Sequence, residues 1–249
     1  MTNTVNIVER KSVPEGLVLF QGLPDVGLVG VIAASHIAQQ LKMEEVAYIN
    51  SSLLPPVILL KNGLPHSPIR IFGNDTFLTL TSDIPLPPNA VQPIIHAIIE
   101  WIKNKKVKMV FGLSGIAVPN RQDIEKPKVY SACSTKEILE TLKEKGMTVI
   151  ENAFLVGPLA LTLHYCAENE ISAVALLAES FYNYPDPEAA AAVITALNEI
   201  VEVPVEVSTL IEKGEEIRLK MRDIMKRTQP AMAQMRKSRE YDMPGYYVT

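Results

Sequence analysis

Cysteine, histidine and arginine are scarce where an enzyme of this length would use them. The 249 residues include two cysteines, Cys133 and Cys166. They form neither a redox pair nor a zinc-ligand spacing, so each is expected to be a buried, reduced thiol. The four histidines, His36, His66, His96 and His164, are scattered. Three fall in predicted helices and His66 in a proline-flanked loop, and none sits in a recognisable catalytic or metal-binding motif. Arg10, Arg70 and Arg121 are the only arginines before residue 200; neither Arg70 nor Arg121 lies in a glycine-serine phosphate motif. No uncharged apolar run reaches the roughly 18 residues that span a bilayer. The opening MTNTVNIVERK has no apolar signal core. A cytoplasmic chain without membrane contact, metal or cofactor is the expectation.

Two glycine motifs lack the residues their chemistry requires. Gly22-Leu23-Pro24-Asp25-Val26-Gly27 has the glycine spacing of a phosphate loop, but Leu28 and Val29 stand where Lys and Ser/Thr would neutralise phosphate and hold magnesium. Gly27 and Gly30 are better read as allowing close helix–sheet packing. Gly112-Leu113-Ser114-Gly115 lacks the glycine two residues after serine that a nucleophile elbow needs.

What the chain does have is a core and an uneven charge. At 47% hydrophobic it can bury one large domain. Net charge is −4, which gives no general nucleic-acid footprint. From Lys213 to Arg239, however, nine Lys/Arg face three Asp/Glu, while the chain before Lys213 is acidic. Such a basic arm, with Arg218, Lys220, Arg222, Lys226, Arg227 and Arg236, suits an acidic protein surface, RNA or a neighbouring copy, or is simply a solvated helix. The absence of aromatics between its basic residues makes nucleic acid the least favoured partner.

Apolar runs alternate with amphipathic stretches, the pattern of an α/β sheet. Strands are predicted at Gly16–Gln21, Val46–Asn50, Phe77–Thr81, Val107–Leu113, Thr148–Glu151 and Ile171–Leu177. Val57–Leu60 and Ile69–Phe72 flank the turn signal Asn62-Gly63. Asp25 is placed as the cap of a helix over Val26–Leu41, Asn89 of one ending near Lys103, and Thr135 of Lys136–Lys145, with Gly146 at its C-cap. Pro158 opens a helix to Glu170, and Asp186 with Pro187 opens one to about Val201. After Pro204, the stripe Val207, Leu210, Gly214, Ile217, Met221, Ile224 predicts a last helix, packed at first and projecting beyond Met221. The expected organisation is a domain over 1–204, a charged helical arm over 205–239 and a flexible tail over 240–249. Asp83, Glu151 and Glu179 lie at or near strand ends, where α/β folds bind ligands, and Asp25 is a further candidate interface or pocket residue. The loop Glu179–Tyr184, with Tyr182 and Tyr184, is the best pocket or interface candidate.

Three segments together resemble the PAC2 family, the proteasome assembly chaperone 2-like proteins, in its archaeal branch. They are Gly22-Leu23-Pro24-Asp25-Val26-Gly27-Leu28-Val29-Gly30, Gly157-Pro158-Leu159, and Leu177 through Pro185-Asp186-Pro187-Glu188-Ala189-Ala190. The resemblance covers roughly Gly16 to Glu202. It implies a three-layer α/β/α body related to the nucleoside-phosphorylase-like fold, used as a chaperone rather than an enzyme. It further implies self-association and, in some members, docking on the 20S proteasome α-ring through a C-terminal hydrophobic–Tyr–any tripeptide. Here Tyr246-Tyr247-Val248 has that composition, with Thr249 one residue beyond it. The resulting expectation is a homo-oligomeric chaperone or adaptor binding another protein, proteasome α-subunits or another PAC2-like protein, through its arm and tail. A nucleoside- or nucleotide-handling enzyme is the alternative.

Overall fold

A computed structural model of the chain describes residues 5–237. In chain order the elements are β1 (Val5–Glu9), β2 (Val18–Gly22), α1 (Val29–Gln40), β3 (Glu44–Ser51), β4 (Leu59–Lys61), β5 (Leu64–His66), β6 (Ile69–Gly73), β7 (Phe77–Ser82), α2 (Pro88–Asn104), β8 (Met109–Ala117), β9 (Val129–Cys133), α3 (Lys136–Glu144), β10 (Thr148–Val149), α4 (Pro158–Glu168), β11 (Ala173–Ser180), α5 (Pro187–Asn198), α6 (Ser208–Glu212) and α7 (Gly214–Gln234). Nine strands form one sheet in the order β1-β3-β6-β7-β2-β8-β11-β9-β10, while β4 and β5 pair only with each other. The centre, β7-β2-β8-β11, is parallel. An antiparallel meander β1-β3-β6 extends it on one side, and β9 joins antiparallel to β11 on the other.

The central strands are buried along nearly their whole length because helices cover both faces. All eight residues of β11 are buried, as the unbroken apolar run predicts. One face packs under α1, α3 and α5 around Phe20, Phe111, Val174 and Leu176. The other packs under α2 and α4 around Leu19, Ile71, Leu80 and Val110. Adjacent side chains Leu19 and Phe20 therefore serve opposite cores, as the two-residue strand period requires. The three-layer α/β/α architecture is thus present.

Three local expectations need correction. Asp25 does not cap α1: a 3-10 turn at Val26–Leu28 intervenes, with left-handed Gly27 (φ 60°) and Leu28 (φ 51°), and the carboxylate makes no cap bond. Asn89 does not cap α2 either, because Pro88 occupies the first helical position, where its missing N–H is not needed. The Asn62-Gly63 turn, with both residues at positive φ (52° and 78°), joins β4 to β5; Ile69–Gly73 instead pairs with β3 and β7. The other caps agree. Thr135 accepts from the Ile138 amide, Asp186 from the Ala189 amide, and Gly146 ends its helix at φ 70°.

The arm does not project. α7 runs to Gln234 through Pro230 and lies on the body, burying Met225, Thr228, Met232 and the following Lys237. Met225, Thr228 and Met232 step by three and four, so the buried stripe continues beyond Ile224, through a threonine that an apolar pattern discounts. Pro230 is exposed and does not break this contact. Burial pushes the Cys166 thiol up to about 12; Cys133 is only partly buried.

The glycines of the first loop act through proximity. A Cβ on Gly30 would lie 2.1 Å from the Leu113 carbonyl oxygen, and one on Gly27 would lie 1.9 Å from Ser180 Oγ. The start of α1 therefore rests directly on β8, as the sequence spacing suggests. Gly30→Ala is expected to lower the urea midpoint by the equivalent of about 1–3 kcal/mol or more. Gly214→Ala, whose nearest contact would be Arg218 Nη1 at 3.7 Å, is expected to be neutral or slightly stabilising. Equal midpoints for the two variants would contradict this packing.

Candidate functional site

The carboxyl ends of the parallel strands gather the loops after β2, β8 and β11, the position where open α/β sheets build sites. Arg121, in a 3-10 turn after β8, is 2% exposed, and its Nε and Nη2 bond Asp186 Oδ2 and Oδ1 at 2.7 and 3.0 Å. Nη1 reaches the Ile124 carbonyl at 2.6 Å, Nη2 also reaches Glu188 at 3.0 Å, and the guanidinium stands 5.3 Å from the Phe181 ring centroid. Asp186 is fully buried and also accepts from Ser180 Oγ and the Phe181 and Ala189 amides. Its own amide donates to the Gly27 carbonyl at 2.9 Å. This planar, doubly bonded arrangement fixes orientation as well as charge.

Glu188 passes the network to the last helix, since its other oxygen pairs with Arg218 at 3.2 Å. Desolvation opposes the Arg218 charge, but Glu215 and Glu188 outweigh it and hold its pKa above the ordinary guanidinium value. Lys220 pairs with Glu216 along the same helix. Arg222, Lys226, Arg227 and Arg236 are exposed.

A second buried pair closes the edge. Lys237 Nζ lies 2.7 Å from Asp25 Oδ2 and donates to the Val156 carbonyl at 2.6 Å. Ser114 Oγ donates to the same Asp25 oxygen at 3.0 Å, while Asp25 Oδ1 is buried with no hydrogen-bond partner among the described residues. Behind them, Gln21 and Thr162 bond each other at 3.0 Å. The sequence pattern of a phosphate loop thus delivers a carboxylate that receives a lysine.

The predicted pocket residues do not converge. Glu179 accepts from the Lys128 amide (2.9 Å) and Tyr130 Oη (3.1 Å), stitching β9 to β11. Tyr182 packs on the α5 side of the core, and Tyr184, half exposed, meets Phe181 edge-on at 6.0 Å. Arg70 is committed to Asp83 at 2.6 Å and Arg10 to Glu45 at 3.4 Å. The histidines make separate contacts: His36 with the Glu206 carbonyl, His66 with Glu45, His96 with Tyr165, His164 with Glu168. Among the described residues no three His, Cys, Asp or Glu side chains gather as a metal-binding group, and no helix is long and apolar enough to cross a membrane. The tail residues Tyr246, Tyr247, Val248 and Thr249 lie outside the described residues.

The predicted loop Glu179–Tyr184 does contribute Phe181 to a groove of about 1060 Å³ beside α5, whose other walls sequence reasoning missed. Its walls include Val129, Met147, Phe181, Ala192, Ala196 and Ile211. The alanine run Ala189–Ala192, with Ala196 one helical turn on, was the available signal.

A profile of the PAC2 family matches residues 19–225. The chain belongs to the PAC2 family. This PAC2 chain is similar, at 28% identity and TM-score 0.85, to the crystal structure of Pyrococcus furiosus PbaA, an archaeal homolog of proteasome-assembly chaperone, over 92% of this chain and 99% of that one. It is 27% identical to an uncharacterized Methanocaldococcus jannaschii protein across 98% of this chain and 99% of the relative. Pyrococcus furiosus PbaB, an archaeal proteasome activator, shares the PAC2 fold at TM-score 0.75 and 23% identity, over 90% of this chain and 99% of that one.

For this PAC2 edge, Asp186→Ala is expected to cost about 3–5 kcal/mol because it strands a buried guanidinium. The double variant Arg121→Met/Asp186→Leu is expected to recover the part of that loss due to the stranded guanidinium in urea denaturation, but not the part due to the Ser180, Phe181 and Ala189 donors left unpaired. A double variant as unstable as the sum of both single ones would refute the coupling.

Proposed function

We propose that the protein is a cytoplasmic, homo-oligomeric assembly chaperone or adaptor that performs no catalysis and binds partner proteins through its C-terminal arm and tail. The observation that carries this reading is the near-complete match to PbaA, which extends through both chains rather than through a shared core alone. PbaA is described as a proteasome-assembly chaperone homolog, so the proteasome α-ring is the first client to test. The chemistry of the carboxyl edge agrees. Arg121 and Lys237 are held by carboxylates rather than arranged about a substrate.

The arm supplies the recognition surface in this proposal. Its buried side anchors it, and its exposed Arg222, Lys226, Arg227 and Arg236 present positive charge to an acidic partner. The aromatic tip Tyr246-Tyr247 then adds an apolar contact, and several tips on one oligomer gain by multivalency.

Size-exclusion chromatography with light scattering, alone and with purified 20S α-ring, tests the proposal. The full chain is expected to run as a defined oligomer and to co-elute with the ring. Removal of Gly245–Thr249 is expected to abolish co-elution and leave the oligomer unchanged. Equal recovery of the shortened chain with the ring would refute the tail's role, and a full chain that ignores the ring would refute this client.

A further inference from the structure

The β4–β5 hairpin is out of keeping with the rest of the molecule. It pairs with no strand of the main sheet, yet it exposes Ile58 (61%), Leu60 (66%) and Leu64 (64%), with Val57 at its base. A lone two-stranded hairpin is marginal in water, and clustered exposed apolar side chains mark an interaction surface. Its base is nonetheless held. Pro55 and Pro56 lead into it, His66 Nδ1 lies 2.9 Å from Glu45 Oε2, and Ser67 Oγ donates to the Ile49 carbonyl at 2.8 Å.

The groove beside α5 has the complementary character. Its lining includes the small Ala192 and Ala196 together with Ile211, which remains more than half exposed. The charges also match. Lys61 is the hairpin's one fully charged residue. At the groove, Arg121 and Arg218 are already engaged by carboxylates, while the lining Asp123, Glu125 and Glu199 outnumber the two further cations, Lys126 in the lining and Lys145 at the Glu199 carbonyl (2.7 Å).

The two surfaces belong to opposite ends of the sheet. The hairpin joins β3 to β6, whereas the groove borders β9 and β10. β6 and β9 are five strand spacings apart in the sheet order, about 24 Å at roughly 4.8 Å each. We propose that the hairpin of one copy inserts into the α5 groove of the next, giving a head-to-tail oligomer. Leu60, which shares one face of the hairpin with Pro65, enters over Ala192 and Ala196, and Lys61, on the opposite face beside Leu64, meets the acidic rim. Because donor and acceptor surfaces differ, the contact is heterologous, and repetition closes into a ring when the rotation permits. This rests on the self-association proposed above and assigns its surfaces.

Light scattering on the full chain tests it with two exposed substitutions, Leu60→Asp on the hairpin and Thr195→Trp in the groove; thermal melting checks that both fold like the wild type. Each variant alone is expected to be monomeric at a concentration where the wild type is a defined oligomer. An equimolar mixture is expected to form dimers, because the intact groove of Leu60→Asp can receive the intact hairpin of Thr195→Trp. Folded variants that keep the wild-type mass would overturn these surfaces while leaving self-association standing. A mixture that stays monomeric would overturn the head-to-tail arrangement. A monomeric wild type would overturn self-association itself, with this interface.

Discussion

The Arg121–Asp186 pair is the constraint on which the carboxyl edge of the sheet depends. It joins the loop after β8, the end of β11, the start of α5 and, through Glu188, the last helix. Asp186 also fastens the Gly27 turn through its backbone amide. Burying two charges is expensive, and a well-packed apolar pair would often be as stable. What the ion pair adds is directionality: five polar groups converge on one carboxylate with little freedom to rearrange. Five segments separated in sequence are thereby fixed relative to one another.

The last helix extends that constraint across the molecule. Arg218, near its start, lines the α5 groove, while Arg227 and Ala231 line a second pocket with Pro55 and Val57 beneath the β4–β5 hairpin. Thirteen residues of helix separate Arg218 from Ala231, about 20 Å of rise. The arm therefore spans from the groove side to the hairpin side while its basic face looks outward. Lys237 fastens its far end to Asp25. In this arrangement the arm ties the two sides of the body together through residue 237.

Much of the architecture was legible because local chemistry dictated it. The run Ile171–Leu177 reads as a buried strand, observed at Ala173–Ser180, and Asp186-Pro187 supplies both a cap and a first-turn proline. The site was less legible. Asp25 has the residue type and position of a helix cap, yet Gly27 and Leu28 turn left-handed and send its carboxylate toward Ser114 and Lys237. Glu179 has the position of a ligand-binding carboxylate but is consumed in joining β9 to β11. Whether a strand-end carboxylate faces solvent or another strand depends on neighbours that are distant in sequence.

The sequence by itself determined the alternation of strands and helices, the close glycine contacts at the start of α1 and the membership of a family, because these rest on periodicity, residue size and local capping. Only the tertiary structure decided that the charged arm lies on the body, that Lys237 meets Asp25, and that a groove and an apolar hairpin occupy opposite ends of the sheet. Those features depend on which surfaces meet after the sheet has formed. A helix bearing Met, Thr and Lys can face water or a partner with equal local propriety, and the body it encounters makes the choice.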